Sequence, residues 1–173
     1  MRAWKYKNII LTILIILTLA FIWGNSLMPR DESTEMSTWA LRHFNEVLGR
    51  ISGRPLTVSE HFVRKLAHFT EFAVLGMEML ARAVPSSDTS DTRLALPADR
   101  EPAFPGRKAC IVTAVCGLAA AMIDESLQGL SDRSPQISDV CLDFAGVLAG
   151  AAVAGLILAR LAKRLNTRKR PDA

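Results

Sequence analysis

The sequence predicts an all-α polytopic membrane protein: a bundle of four transmembrane helices with a short interfacial helix at the outer surface. Half of its 173 residues are hydrophobic, and they come in blocks rather than at the even spacing of an amphipathic helix. Four blocks have roughly the 20 residues that a helix needs to cross a hydrocarbon core of about 30 Å. They cover residues 9–28, 62–84, 109–130 and 140–161, within a single membrane domain spanning residues 1–173.

The first block, residues 9–28, has no polar face to turn toward water. A soluble helical bundle is the alternative to a membrane bundle, and it would leave this helix exposing apolar side chains on every side. A cleaved signal peptide is a second alternative, because Arg2, Lys5 and Lys7 precede the block. The apolar run is longer than a usual signal core and 24–26 is a poor cleavage site, so the sequence favours a retained helix.

The segment 34–48 predicts a short amphipathic helix that lies on the outer membrane surface. Trp39 and Phe44 fall on its apolar side and Glu46 on the opposite side, which is the pattern of an interfacial helix. Gly49 is the predicted C-terminal cap. The alternative is an ordinary amphipathic helix packed on the bundle.

The other connecting segments differ in composition. Thr57 and Glu60 have the spacing of a capping box, which predicts that the second long helix begins before its apolar part. Residues 85–107 are rich in Pro, Ser, Asp and Arg and predict a disordered cytoplasmic loop. Residues 131–138, which include Arg133, predict a tight outer turn.

The distribution of cations predicts the orientation. Of the 21 Lys and Arg residues, fourteen lie before the first span, between the second and third, or after the fourth, and seven lie on the other side. The positive-inside rule therefore places both termini in the cytoplasm of a bacterium, with a multi-pass chain in the plasma membrane. An anionic inner leaflet accounts for the basic tail 168–170, so we expect the lipid bilayer and no nucleic acid as its partner.

With this orientation, polar residues from all four spans meet near the outer leaflet boundary, and Asn25 and Ser26 close the outer end of the first span. A carboxylate at a helix centre in hydrocarbon costs roughly 2.5–3.5 kcal/mol, so such groups usually face a bundle interior or a wet cavity. We therefore predict an outer-face polar pocket. Its candidate binding residues are Lys65, His68, Asp124, Glu125, Gln128, Arg133, Asp139 and Asp143.

Helical phase directs these side chains toward neighbouring helices. Lys65 and His68 are three positions apart and share a face. Asp139 and Asp143 continue into a stripe of small residues that includes Gly146. Small residues at this spacing let membrane helices approach closely, so the aspartates should point at another helix rather than at lipid.

Three interpretations of the chemistry stay open. As an enzyme, His68, Asp124 and Glu125 are the catalytic candidates, as an acid–base pair or as ligands suited to a divalent metal ion in a hydrolase or transferase. No spacing such as His-Glu-x-x-His assigns a metal ligand. As a binding module, Lys65 and Arg133 would hold a phosphate or carboxylate of a lipid-linked wall precursor. The third interpretation is a purely structural set of helix-end ion pairs.

The polar residues also carry a family resemblance. The string Lys65-x-x-His68 with Phe72, then Asp124-Glu125-x-x-Gln128, Arg133, Asp139, Asp143 and Gly146, resembles the VanZ-like family of bacterial membrane proteins. The resemblance covers roughly residues 11–161. Two positions depart from the family pattern: Phe72 stands where Tyr is frequent, which loses a hydroxyl, and Asp143 stands where Asn is frequent, which adds a charge.

The resemblance implies both a fold and a role in the cell envelope. The family's founding member is associated with low-level resistance to teicoplanin, a glycopeptide antibiotic that binds cell-wall precursors. The resemblance thus implies a pocket for a cell-wall or lipid-linked head group or for a glycopeptide, and lowered teicoplanin susceptibility. A small transporter is a variant of this interpretation. Four helices without a visible repeat are few for alternating access unless the chain dimerises, so a homo-oligomer stays open.

Overall fold

The computed structural model describes residues 2–28, 30–53, 58–84, 105–131 and 136–168. This part of the chain is helical and contains no strand, so the all-α prediction is confirmed. Five helices follow one another along the sequence: α1 Arg2–Ser26, α2 Arg30–Ser52, α3 Glu60–Ala83, α4 Arg107–Leu130 and α5 Ile137–Arg168.

Within the described residues, three helices are long and apolar enough to cross a membrane. They are Tyr6–Ser26, Arg107–Leu130 and Ile137–Arg164. Large apolar side chains such as Leu17 and Val115 are about 60% exposed on these helices, and an apolar surface of this extent suits contact with lipid. The helix α3 falls outside this group because six of its 24 residues are charged.

The helices α3 and α5 run parallel and approach most closely. A Cβ atom on Gly146 would lie 2.5 Å from the carbonyl oxygen of Phe69, and one on Gly150 would collide with the backbone of Ala73. Gly76 on α3 is blocked in the same way by the backbone of Val147. Glycine on both helices therefore allows backbone-to-backbone contact, which is how membrane helices gain packing energy.

Two buried clusters fill the bundle of α1, α3, α4 and α5. One contains Phe72, Leu75 and Val147, and the other contains Leu80 and Ala154. The helices α1 and α4 run in one direction, and α3 and α5 run in the other. The C-terminal ends of α1 and α4 thus meet the N-terminal ends of α3 and α5.

The two ends of the bundle differ in charge. At one end, here called the basic end, the Lys7 Nζ donates to the Val84 carbonyl at 3.4 Å, and the Arg82 Nε donates to the Thr12 hydroxyl at 3.2 Å. Lys108 lies in the first turn of α4 at this end. The opposite end, here called the polar end, contains Ser26, Lys65, His68, Asp124 and Asp143.

The helix α2 is longer than the predicted 34–48. Gly49 lies inside it rather than capping it, so the predicted cap was wrong. The helix instead continues to Ser52 and is followed by Gly53 at φ +65°. A left-handed residue suits glycine because it has no Cβ to clash, which makes Gly53 the terminating residue.

The other helix ends also differ in detail from the sequence predictions. The helix α3 begins early, at Glu60, as expected, but its cap is Ser59, whose hydroxyl accepts from the Phe62 N–H at 3.3 Å. The predicted cap Thr57 lies outside the described residues. The helix α5 continues beyond 161 to Arg168.

Some predicted connections fall mostly outside the described residues. Of the loop 85–107, the structure describes 105–107, where α4 begins. Arg133 and its neighbours 132–135 are likewise outside the described part of the chain. The disorder predicted for this loop and the role predicted for Arg133 therefore stay predictions.

Candidate functional site

Four helices each contribute a polar side chain to the polar end. Ser26 comes from α1, His68 from α3, Asp124 from α4 and Asp143 from α5. Asp124 is fully buried and Asp143 is 1% exposed. Two buried carboxylates on different helices are expensive to desolvate, so the groups around them decide what the site can do.

Asp124 is the most fully contacted of these carboxylates. Its Oδ1 accepts a 2.6 Å hydrogen bond from the Ser26 hydroxyl. Its Oδ2 accepts a 2.8 Å hydrogen bond from the Gln128 side-chain amide, one helical turn away. The His68 Nδ1 lies 3.9 Å from the same Oδ2. These donors fix the orientation of the Asp124 carboxylate from two sides.

Asp143 differs sharply from Asp124. Both of its carboxylate oxygens are buried and have no hydrogen-bond partner among the described residues. One ligand atom from each of His68, Asp124 and Asp143 lies within 4.8 Å of the other two. These three residues, here called the triad, present an imidazole nitrogen and two carboxylate oxygens to one small space.

Lys65 and Asp139 form the rim of the site. The Lys65 Nζ lies 2.7 Å from the Asp139 Oδ1, and the two side chains are 31% and 29% exposed. The cation of Lys65 therefore compensates Asp139 at the edge of the bundle, while the buried carboxylates of Asp124 and Asp143 lie further in.

Glu125 makes a different kind of contact. Its Oε1 accepts a short hydrogen bond from the backbone N–H of Gln136, and its Oε2 is buried without a hydrogen-bond partner in the described ranges. This bond joins the last turns of α4 to the residue just before α5. The structure thus gives Glu125 a contact that holds the α4–α5 connection, next to the triad rather than in it.

The stretch of chain that forms this site also matches a known protein family. Residues 10–158 match the VanZ/LLP1 family, which is most of the 173-residue sequence. The chain belongs to the VanZ family. Neither a curated protein nor a solved structure matches it.

The family match bears on the site directly. It extends from α1 to α5 and so includes every residue of the polar end. The resemblance inferred from the polar motifs is therefore confirmed. With its three apolar helices, the chain has the character of a VanZ-family membrane protein.

Of the predicted pocket residues, the structure brings together Lys65, His68, Gln128, Asp139 and the triad aspartates, with Glu125 beside them. The structure also adds Ser26, which the sequence analysis had placed only at the outer end of the first helix. Ser26 is fully buried and binds Asp124. The available signal was the pair Asn25-Ser26, which interrupts an otherwise apolar helix.

Glu71 links the site to a groove between α1 and α3. Its side chain hydrogen-bonds to Asn25, and its second oxygen is buried without a partner in the described structure. The groove has mainly apolar walls, lined by Leu17, Thr18, Phe21, Glu71 and Val74. Deeper along the same helix pair, the Thr18 hydroxyl donates to Glu78 at 3.2 Å.

The polar end carries more negative than positive charge. Five carboxylates gather there: Glu71, Asp124, Glu125, Asp139 and Asp143. Lys65 and His68 are the cationic or protonatable side chains that the described residues bring to the same end. Charges in a low-dielectric interior interact strongly, so these carboxylates need protons or nearby positive charge to offset their mutual repulsion.

Proposed function

We propose that this VanZ-family protein binds the head group of a lipid-linked cell-wall precursor in a pocket at the outer face of the bacterial plasma membrane. The pocket is the polar end, with the Lys65–Asp139 pair as its rim. The observation that carries the proposal is the burial of Asp124 and Asp143 together in a bundle with apolar outer walls. Membrane proteins keep such groups for binding, transport or chemistry because their insertion is costly.

The proposed topology has four crossings. The helix α3 is the least apolar of the four, but its 24 residues span about 36 Å at 1.5 Å per residue. Its polar residues Lys65, His68 and Glu71 contact other helices of the bundle. A charged helix can cross when its polar side chains are turned to neighbouring helices in this way.

The charge difference between the two ends supports the orientation. Lys7, Arg82 and Lys108 lie at the basic end, and Lys163 lies near the C-terminal end of α5 on the same side. By the positive-inside rule, this end belongs in the cytoplasm. The polar end then faces outward. On the same side, α2 leaves Trp39 and other apolar side chains exposed, which suits a helix lying at the membrane surface.

A lipid-linked precursor matches this layout because its head group is in water and its chain is in the membrane. The ammonium group of Lys65, at the half-exposed rim, is placed to share its charge between Asp139 and a phosphate oxygen. The groove that Leu17, Phe21 and Val74 line beside Glu71 opens to lipid. We assign it to the first part of the hydrocarbon chain.

This binding would also lower the susceptibility of the host cell to teicoplanin. Teicoplanin acts by binding cell-wall precursors, so a precursor whose head group is held in the pocket is withheld from the antibiotic. The protein needs to break no bond for this effect.

Susceptibility of a Gram-positive host tests the proposal in cells. The host expresses the wild type, Asp124→Asn or Cys116→Ala at matched membrane abundance. The wild type and Cys116→Ala, whose side chain is exposed, are expected to raise the inhibitory concentration of teicoplanin. Asp124→Asn, which removes the charge of the fully buried acid, is expected to remove this protection. Equal protection by Asp124→Asn, or none from the wild type, would contradict the proposal.

A further inference from the structure

We propose that the triad of His68, Asp124 and Asp143 binds a divalent transition-metal ion. The inference goes beyond head-group binding, because it assigns a metal ion to three protein side chains whether or not a lipid is present. It follows from geometry, from the state of Asp143 and from the fixed orientation of Asp124.

The three side chains are close enough to surround an ion after a modest inward movement. The three ligand atoms lie within 4.8 Å of one another. Zn²⁺ binds imidazole nitrogen and carboxylate oxygen at about 2.0–2.2 Å, so two ligand atoms of a tetrahedral site lie roughly 3.4 Å apart. The His68 Nδ1 and the Asp124 Oδ2 are 3.9 Å apart. Side-chain rotations that bring the three ligand atoms closer by roughly an ångström therefore complete the set.

Asp143 supplies the independent observation that points to a ligand. It is 1% exposed, and neither carboxylate oxygen has a hydrogen-bond partner among the described residues. Leaving a buried carboxylate without a partner costs far more than leaving one in water. The neighbouring cation of Lys65 is in contact with Asp139 at 2.7 Å. A dication between Asp143 and Asp124 compensates both carboxylates at once.

The contacts of Asp124 resemble those that orient a metal ligand. Ser26 and Gln128 donate to its two oxygens at 2.6 and 2.8 Å. Outer hydrogen bonds of this kind hold ligating side chains in place. Oxygen lone pairs remain on each carboxylate oxygen for coordination, since an ionised carboxylate has about four acceptor positions.

The ligand set indicates which ions fit. Imidazole favours Zn²⁺ and its neighbours, while all-oxygen sites suit Mg²⁺ and Ca²⁺. One imidazole with two carboxylates therefore favours Zn²⁺ over Mg²⁺. Three protein ligands leave one position of a four-coordinate ion open. On the proposed function, that position accepts a phosphate oxygen of the head group, which a bare cluster of carboxylates would repel.

The test measures metal binding alone, with no lipid-linked precursor added. Full-length protein without a polyhistidine tag is purified in lipid nanodiscs, stripped with a chelator and titrated with Zn²⁺. The expected result is one equivalent bound per chain. Asp143→Asn, which keeps the side-chain shape, and His68→Ala each remove a ligand. They are expected to weaken Zn²⁺ binding by at least roughly the tenfold to hundredfold that is lost when an outer hydrogen-bond partner of a metal ligand is removed.

Two control variants separate the triad from ordinary surface binding. His61 is exposed on the first turn of α3, and Glu46 is exposed on α2, away from the triad. His61→Ala and Glu46→Gln are expected to keep the wild-type Zn²⁺ affinity. Loss of affinity in His61→Ala equal to that in His68→Ala, or unchanged affinity in Asp143→Asn, would overturn the inference.

Spectroscopy of the metal bound to the wild type is a further test, and it does not depend on the stability of any variant. Co²⁺ bound at the triad should show the visible absorption of a nitrogen–oxygen site, and X-ray absorption on Zn²⁺ should show one imidazole. A site with two imidazoles, or no stoichiometric binding, would overturn the metal site. Precursor binding without Zn²⁺ binding would reject the metal site alone, so the two proposals fail separately.

Discussion

The Ser26 hydroxyl on α1 donates a 2.6 Å hydrogen bond to the Asp124 carboxylate on α4, although the two residues are 98 positions apart. The bond closes the polar end, because it ties the last residue of the first helix to the most buried acid of the site. A second bond reinforces this contact: the Ser131 hydroxyl donates to the Ser26 carbonyl at 3.0 Å.

Removing the Ser26 hydroxyl should therefore destabilise the bundle. In Ser26→Ala, a buried charged acceptor loses its donor, and we expect a loss of about 1–3 kcal/mol. Thermal unfolding of the detergent-solubilised protein measures it. Ser126→Ala is the matched control, since that exposed hydroxyl donates only to Met122 of its own helix. Equal melting temperatures for the two variants would contradict the role given to Ser26.

The Lys65–Asp139 pair should matter more for binding than for stability. Partly exposed ion pairs contribute about 0.2–1 kcal/mol, so Lys65→Met should change the melting temperature little. It should nevertheless weaken precursor binding, since the rim cation is lost. The Arg64–Glu60 pair, at 3.0 Å and similar exposure, is the control, and Arg64→Met should leave binding unchanged. Equal effects of both substitutions on binding would remove Lys65 from the pocket.

Close packing of α3 on α5 should be intolerant of added atoms. In Gly150→Ala, the new methyl would meet the Ala73 backbone, which cannot rotate away as a flexible side chain can. Overpacking of this kind costs typically 1–3 kcal/mol. Gly24→Ala is the control because a Cβ there meets nothing within 4 Å. Thermal unfolding of both variants decides the point, and a Gly150→Ala protein as stable as Gly24→Ala would contradict this helix contact.

The sequence could predict the long helices because each apolar block has roughly the length of a membrane crossing. It could also place Asp124 and Asp143 at one level, because the direction of successive spans alternates. Helix ends were less predictable: α2 continues through Gly49 to Ser52 and ends before Gly53, since a glycine ends a helix only where the chain must turn. The partner of each polar residue depends on side-chain packing, which explains why Ser26 was not chosen as a pocket residue.

The proposed orientation of the chain predicts different labelling at the two ends of α5. In a background without Cys110, Cys116 and Cys141, a Ser138→Cys variant should react with a membrane-impermeant maleimide on intact cells. An Arg164→Cys variant should react only after permeabilisation, because it belongs to the basic end. Both side chains are exposed, so access to the reagent is comparable. The reverse pattern of labelling would place the polar end in the cytoplasm.

The central claim is that the polar end binds the head group of a lipid-linked wall precursor, and direct binding in nanodiscs tests it best. The purified protein is titrated with the precursor, with the same prenyl chain lacking the head group, and with teicoplanin alone. We predict saturable binding of the intact precursor, weakened about tenfold or more, or roughly 1.4 kcal/mol, by Asp124→Asn and unchanged by Ser126→Ala. Equal binding of the bare chain, binding of teicoplanin alone, or an unaffected Asp124→Asn would contradict the claim.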